Sequence, residues 1–266
     1  MSAWRAAVCG DAVTLTNLDT SSFDTQGDPV YATMITGKSL HRAGWAMLAL
    51  ENFRLQTYRN RYLVVVNDGD FDLDLDAARL PPDRVISIRP SQRHSLGELR
   101  NIALDAIPNG ALWVFWDDDD WRHPRLMTAQ HRVLTELGVA GCFMASQVKY
   151  AFGIDAAFEH GNPGGFAGTL MAYNDPAQRF PDLARGEDSV FADALKRTKR
   201  WYLWRNPPHY YFRFIHGANT CDEAHFKLHR QTPGKWRVSP EAAAWLNRLL
   251  PLCPVSSGAT RDPRGE

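Results

Sequence analysis

Residues 111–124, ALWVFWDDDDWRHP, join an apolar run to four consecutive aspartates. A continuous apolar run is typical of a strand that is buried on both faces, as in a parallel sheet covered by helices. The run therefore predicts a strand over 111–116 that stops at the aspartates. His123 and Pro124 follow, and a proline is tolerated in the first helical turn because its missing N–H would have no partner there. We therefore expect the next helix over 123–137.

Apolar runs before this stretch alternate with segments of helical periodicity. One helix is marked by Ser95 and Glu98, which have the spacing of a capping box. Strands are predicted over 30–35, 62–66 and 85–88, and helices over 40–55 and 95–106. Strands that alternate with helices in this way are typical of an α/β fold with a parallel sheet.

The alternation weakens in the second half of the chain. Strands are predicted over 142–148, 169–173 and 210–215, a glycine-rich loop over 161–168, and helices over 188–195 and 240–250. We therefore predict one α/β domain over 29–231, in which a Rossmann-like half with a predominantly parallel sheet (29–140) precedes a mixed half (141–231). Residues 1–28 are predicted to form a lead-in and 232–266 a C-terminal extension.

The composition excludes several classes of partner. The 266 residues include thirty Lys and Arg and thirty Asp and Glu, so the formal net charge is zero. This balance gives no general attraction to nucleic acid, and no nucleic acid is expected as a partner. No stretch approaches the ~20 apolar residues of a membrane helix, so any membrane contact is expected to be peripheral. The four cysteines form no CxxC pair, which favours reduced thiols in a cytoplasmic protein.

The four aspartates after the predicted strand are the strongest chemical signal. Carboxylates held together at a strand end repel one another unless a cation lies between them. Oxygen ligands favour Mg²⁺ or Mn²⁺, ions that keep open positions for the phosphates of a substrate. The sequence therefore predicts a divalent metal site within Asp117 to Asp120, between Trp116 and Trp121. A solvated acidic loop is the alternative.

Other polar groups also stand at the ends of predicted elements. Asp68 ends its predicted strand, where ligands of open α/β sheets bind, and a simple turn is the alternative. Glu187 and Asp188 begin a predicted helix, where a carboxylate can either cap the helix or face a cleft and accept a proton. His216 follows a predicted strand and is expected to complete the metal site, to contact a phosphate or to stay in a turn.

Taken together, the order and spacing of these segments resemble family 2 glycosyltransferases of the GT-A fold, from about Val30 to Phe226. The resemblance is carried by YATMITGKSLHRA, FRLQTYRNRYLVVVNDGD, SLGELRNIALDAIPNGALWVFWDDDDWRHPRLM, GEDSVFADAL and YYFRFIHGANTCDEAHF. Each segment is unspecific by itself, whereas their combined order is strongly specific. The resemblance implies a single GT-A domain with a nucleotide-sugar-binding half and an acceptor-binding half. The QxxRW motif of processive synthases is absent from the sequence, which favours the transfer of single sugars.

The resemblance also implies roles for single residues. The residues implied to bind the nucleotide sugar are Thr36, Asp68, Arg100, Asn101, Asp117 and Asp118. The implied ligands of Mn²⁺ or Mg²⁺ are Asp119, Asp117 and His216. Asp188, with Glu187 beside it, is implied as the catalytic base, and Gly164 to Phe166 resemble the part that shapes the acceptor site.

The implied reaction is an inverting transfer in which Asp188 takes the proton of an acceptor hydroxyl. The metal would stabilise the charge that develops on the departing nucleoside diphosphate. The resemblance favours UDP as the nucleotide of the donor, with GDP and dTDP as alternatives. The implied acceptor is a glycan, a lipid-linked molecule or a small molecule.

Two alternative functions use the same residues. A nucleotidyltransferase acting on a sugar phosphate also combines an α/β half with a divalent metal, but residues 36–39, TGKS, are only a fragment of the glycine-rich loop it needs. A non-catalytic protein that binds sugar nucleotides is the other alternative. It has no physical need to keep Asp68, the four aspartates, the pair Glu187 and Asp188, and His216 together.

Overall fold

The structure, a computed structural model, describes residues 27–37, 40–76, 79–217, 219, 226 and 228–254. The predicted lead-in over 1–28 lies outside the described residues except for its last two. None of the helices in the described ranges combines the length and the apolar character needed to cross a bilayer.

The described part of the chain contains strands and α-helices in mixed order. The strands are β1 (Val30–Thr36), β2 (Arg61–Asn67), β3 (Val85–Ile88), β4 (Leu112–Phe115), β5 (Asp120–Arg122), β6 (Gly141–Ala151), β7 (Ala156–Tyr173), β8 (Trp201–Trp204), β9 (Tyr211–Ile215) and β10 (Trp236–Arg237). The helices are α1 (Ala43–Arg54), α2 (Leu96–Asp105), α3 (Leu126–Leu137), α4 (Glu187–Thr198) and α5 (Pro240–Leu249).

The strands form one sheet in the order β3-β2-β1-β4-β7-β6-β9-β5, with β10 paired to β7 and β8 paired to β6. The four strands β3, β2, β1 and β4 are mutually parallel. β7 runs antiparallel to both β4 and β6, while β6 is parallel to β8 and β9. The predicted α/β fold, parallel in its first half and mixed in its second, is confirmed.

Strand β2 shows why the central strands have continuous apolar sequences. Leu63 and Val65 pack in the cluster that contains α1 and α3, and Val64 and Val66 pack in the cluster that contains α2 and α4. All four side chains are fully buried. Burial of a side chain of this size contributes about 1.5–3 kcal/mol to the free energy of folding. The packing of helices on both faces therefore stabilises the sheet.

A third apolar cluster joins the C-terminal segment to the sheet. Leu246 and Leu249 of α5 pack there with Trp45 of α1 and Phe214 of β9. Residues beyond 231 therefore contribute to the core of the domain.

The helix predicted over 123–137 begins later, at Leu126. The residues before it form β5, which pairs antiparallel with β9. The N–H of His123 then donates to the carbonyl oxygen of Tyr210 at 3.0 Å. The chain therefore follows β9 before it turns into α3, a long-range pairing that the local sequence did not indicate. β8 and β10 were not predicted either, because two to four residues are too short to show a period.

The glycine-rich loop predicted over 161–168 is instead part of β7. Ser146 of β6 pairs with Gly161, while Met144 pairs with Phe166, so 162–165 leave the ladder as a bulge. A bulge lets one strand carry extra residues without ending. The prediction of a loop between two strands was wrong because the glycines mark the bulge and not a chain reversal.

Candidate active site

A cleft opens at the carboxyl ends of the parallel strands. It is lined by the ends of β1 and β4, by the first turns of α2 and α4, and by Arg213 of β9. Ligands of open α/β sheets bind at this edge, where the connecting loops leave a crevice. Four arginines and five carboxylates line the cleft, so its fixed charges largely compensate one another.

Two glycines allow the ends of β1 and β2 to approach each other. Gly37 has a φ of +114°, which favours glycine. A Cβ on Gly37 would lie 2.2 Å from the backbone nitrogen of Gly69. The N–H of Asp68 donates to the carbonyl oxygen of Thr36 at 3.0 Å, which holds Thr36 at the wall of the cleft.

Arg42 lies between two of the four aspartates. It ends a short 3-10 helix (Leu40–Arg42) before α1. Its Nε donates to Asp118 Oδ2 at 3.2 Å and its Nη2 donates to Asp118 Oδ1. The same Nη2 donates to Asp119 Oδ2 at 2.8 Å. All three side chains are buried, so this is an internal ion cluster.

Asp119 is ionised because its neighbours outweigh its burial. Burial alone would raise the pKa of this carboxyl, but Arg42 and His216 bring the pKa below its usual range. His216 Nε2 lies 3.4 Å from Asp119 Oδ2, and Asn219 donates to the same oxygen at 3.2 Å. The His216 ring stacks on Trp45 with a centroid distance of 4.3 Å.

Arg100 joins α2 to the beginning of α4. Its Nε donates to Glu187 Oε1 at 2.8 Å, and its Nη2 lies 3.6 Å from Asp117 Oδ1. The guanidinium also lies over the Phe115 ring, 4.4 Å from the centroid. Glu187 is 2% exposed. Glu187 therefore has the environment of a residue that positions α4 and not of a base that meets substrate.

Asp188, the next residue of α4, lines the cleft. Its Oδ1 accepts hydrogen bonds from the N–H and the hydroxyl of Ser189 at 2.6 and 3.2 Å. A Cβ on Gly168 would lie 4.0 Å from Asp188 Oδ2 and 3.4 Å from Asp117 Oδ2, so both carboxylates approach the same point of β7. Within the described residues, Asp188 is the one cleft carboxylate without an ion pair.

Asp120 points away from the cleft and into the sheet. It accepts hydrogen bonds from the Tyr211 hydroxyl at 2.7 Å and from the Phe214 N–H at 3.3 Å. Burial and the nearby Asp119 raise the pKa of Asp120 to about 7. The four aspartates are thus divided: three line the cleft, and Asp120 ties β5 to β9.

The expected ligands of a divalent metal are not brought together. In the ranges that the structure describes, no three His, Cys, Asp or Glu side chains lie close enough to share a metal ion. Asp119 and His216 are in contact, whereas Asp117 faces Arg100 and Gly168. Arg42 also occupies both oxygens of Asp118 and Oδ2 of Asp119. The residues in this arrangement therefore do not fit Mg²⁺ or Mn²⁺.

Three other predicted site residues or segments have different placements. Asp68 stands at the same edge as Thr36 but does not line the cleft. Asn101 is also outside the cleft wall, because its side-chain amide donates to the Phe180 oxygen at 2.9 Å and accepts from the Phe180 N–H at 2.8 Å. Gly164 lies in the β7 bulge, where its oxygen accepts from Lys196 Nζ at 2.8 Å.

Sequence reasoning missed Arg42, Arg213 and Gly168. The repulsion between the aspartates indicates a cation beside them, and Arg42 lies there where the sequence predicts a metal. Arg213 had a visible signal, since it is the charged residue within the apolar strand YFRFI. Gly168 had no such signal in the sequence, because its role is to leave space beside Asp117 and Asp188.

Comparison with solved structures tests the fold. S. aureus TarS 1–349 in complex with UDP-GlcNAc aligns with a TM-score of 0.59 and 15% identity, over 72% of this chain and 60% of TarS 1–349. This alignment shows that the chain has the GT-A fold. The mannosyltransferase PcManGT from Pyrobaculum calidifontis, in complex with GDP-Man and Mn²⁺, aligns with a TM-score of 0.52 and 18% identity, over 76% of this chain and 60% of PcManGT.

The chain spans about 60% of the length of each of these two aligned structures. No family model matches the chain, and no curated protein matches its sequence. The structural likeness therefore defines the fold alone.

Proposed function

We propose that this protein is a GT-A glycosyltransferase of family 2 that moves one sugar from a nucleoside-diphosphate sugar to an acceptor hydroxyl with inversion. The observation that carries the proposal is Asp188, a cleft carboxylate without an ion pair in the described part of the chain. A general base has to be ionised, accessible and free to accept a proton. Asp117, Asp118, Asp119 and Glu187 are each engaged by an arginine.

Asp188 would take the proton from the acceptor hydroxyl as its oxygen attacks the anomeric carbon of the donor. The bond from that carbon to the diphosphate breaks on the opposite face, so the configuration inverts and no enzyme nucleophile is needed. The Ser189 N–H and hydroxyl hold one oxygen of Asp188, which leaves Oδ2 for the proton. Gly168 supports this role, because any larger residue would bring a side chain to the two carboxylates.

The donor is proposed to be a UDP-sugar, with GDP-sugars as the second choice. TarS was solved with UDP-GlcNAc and UDP, and PcManGT with GDP-Man. The first turns of α2 and α4 face the cleft, and the positive ends of helices favour a diphosphate. A glycan, a lipid-linked molecule or a small molecule remains the proposed acceptor, and a cytoplasmic location remains a prediction.

Ligand binding gives the first test. Thermal shift against UDP, GDP, dTDP, CDP and ATP, each with Mn²⁺ or with EDTA, should raise the midpoint for one nucleoside diphosphate, because a ligand of the folded state stabilises it by mass action. A shift with a nucleoside triphosphate and pyrophosphate release from sugar phosphate would support the nucleotidyltransferase. Absence of any shift would contradict the proposal.

The catalytic role of Asp188 has a matched control on the same helix. Asp188→Asn should lower kcat for nucleoside-diphosphate release by about 10²- to 10⁴-fold, with little change in UDP affinity. Asp193→Asn, at an exposed position of α4, should retain wild-type kcat. NMR of the product should show the inverted anomer. Full kcat in Asp188→Asn would refute the assignment, and a retained anomer would refute the inverting mechanism.

A further inference from the structure

Arg42 occupies the place that sequence analysis assigned to a divalent cation. Two of its nitrogens donate to the two oxygens of Asp118, and one of them also reaches Asp119. The side chains of Arg42, Asp118 and Asp119 are 10%, 2% and 10% exposed. A planar guanidinium that faces a carboxylate with two donors is the geometry in which arginine binds most specifically.

The repulsion between the two aspartates is therefore already offset by a residue of the chain. A metal that bound Asp118 and Asp119 would have to displace Arg42 and leave its buried guanidinium without its partners. Removal of one partner from a buried ion pair is strongly unfavourable. The geometry therefore favours a cleft in which Arg42 stays and the metal is dispensable.

Arg213 of β9 is another of the arginines that line the cleft. In the described residues its guanidinium has no hydrogen bond, and its buried Nε has no partner. The guanidinium carbon of Arg213 lies 5.6 Å from the ring centroid of Phe226. Unlike Arg42, whose donors are used by the aspartates, Arg213 keeps its donors for a ligand. A diphosphate is the anion whose oxygens match such a fork.

We propose that Arg42 replaces the divalent cation in this cleft and that Arg213 binds the diphosphate of the donor, so that the nucleotide binds without metal. The identity of the ligand rests on the proposed function, whereas the role of Arg42 does not.

Manganese titration tests the role of Arg42 without any nucleotide. The EPR signal of free Mn²⁺ should persist when wild-type protein is added, because Asp118 and Asp119 are occupied. Arg42→Gln should bind about one equivalent of Mn²⁺, and Arg59→Gln, an exposed change, should behave as wild type. Stoichiometric micromolar binding of Mn²⁺ by wild-type protein would overturn the proposal, even if Arg42→Gln does not fold.

Calorimetry of UDP binding tests the role of Arg213. Wild-type affinity should agree within about twofold in EDTA and in Mn²⁺, and Arg213→Gln should lower UDP affinity about 10- to 100-fold while uridine affinity is unchanged. UDP binding that strictly requires Mn²⁺ would overturn the inference and leave the proposed function standing. Failure of every nucleotide to bind, in both conditions, would overturn the proposed function and the role of Arg213, and the Mn²⁺ titration would then decide on Arg42 alone.

Discussion

The ion pair between Arg100 and Glu187 predicts a specific loss of stability when one partner is removed. The pair is short, at 2.8 Å, and its side chains are 10% and 2% exposed. Glu187→Gln keeps the shape of the side chain and removes its charge. The guanidinium of Arg100 would then be left with Asp117 at 3.6 Å.

The size of the effect follows from the burial. Loss of one partner of a buried pair costs about 3–5 kcal/mol. Because Asp117 still compensates part of the charge on Arg100, we expect Glu187→Gln to lower the free energy of unfolding by about 2–3 kcal/mol. At about 2–4 °C per kcal/mol for a domain of this size, the melting temperature should fall by about 4–12 °C.

Urea unfolding of a double-mutant cycle measures the pair itself. Glu187→Leu and Arg100→Met should each destabilise the protein, and the double variant should be less destabilised than the sum, by at least about 1 kcal/mol. Asp193→Asn is the control, because this exposed position should leave the stability unchanged. Additive effects, or a Glu187→Gln variant within about 0.5 kcal/mol of wild type, would refute the stabilising role of the pair.

The remaining predictions concern pH, packing and the C-terminal helix. Burial, with His209 and Arg125, lowers the pKa of His123 to about 4. As the pH falls, His123 therefore takes up its proton in the unfolded chain before it does so in the folded protein. The free energy of unfolding should fall between about pH 6.5 and 4, by up to ~1.4 kcal/mol per pH unit. Urea unfolding at pH 7, 6 and 5 should show a smaller loss in His123→Gln, and an equal loss would exclude His123 as the cause. A Cβ on Gly97 would lie 1.8 Å from the Pro181 oxygen, so Gly97→Ala should cost about 1–3 kcal/mol in the same assay, while the exposed Gly164→Ala should cost little. Removal of 240–266 should lower the melting temperature, because α5 packs in the core, and an unchanged melting temperature would contradict that role.

Much of the fold was predictable because local signals agreed with long-range packing. The apolar runs that became β1, β2 and β4 had to be covered on both faces, and this requirement implied helices between them. Ser95 and Glu98 form the predicted capping box at the beginning of α2. β5 could not be predicted, since its three residues are defined only by their pairing with β9.

The candidate site was predictable in its place but not in its internal pairing. The position of the aspartates after β4 put them at the carboxyl edge of the sheet, and the structure places them there. Which carboxylate meets which cation depends on contacts across the chain: Asp118 with Arg42 spans 76 residues, and Arg100 with Glu187 spans 87. No local pattern encodes such pairs, so the sequence did not show that Glu187 is buried against Arg100 while Asp188 has no ion pair in the described residues.

The stacking of His216 on Trp45 gives the C-terminal helix an indirect hold on the cleft. The indole of Trp45 packs in the cluster of α5 and also supports the imidazole that contacts Asp119. A substitution in α5 such as Leu246→Ala would therefore act at a distance, by loosening the support beneath His216. Because Leu246 is fully buried, such a change would lower stability and ligand affinity together, although no residue of α5 lines the cleft.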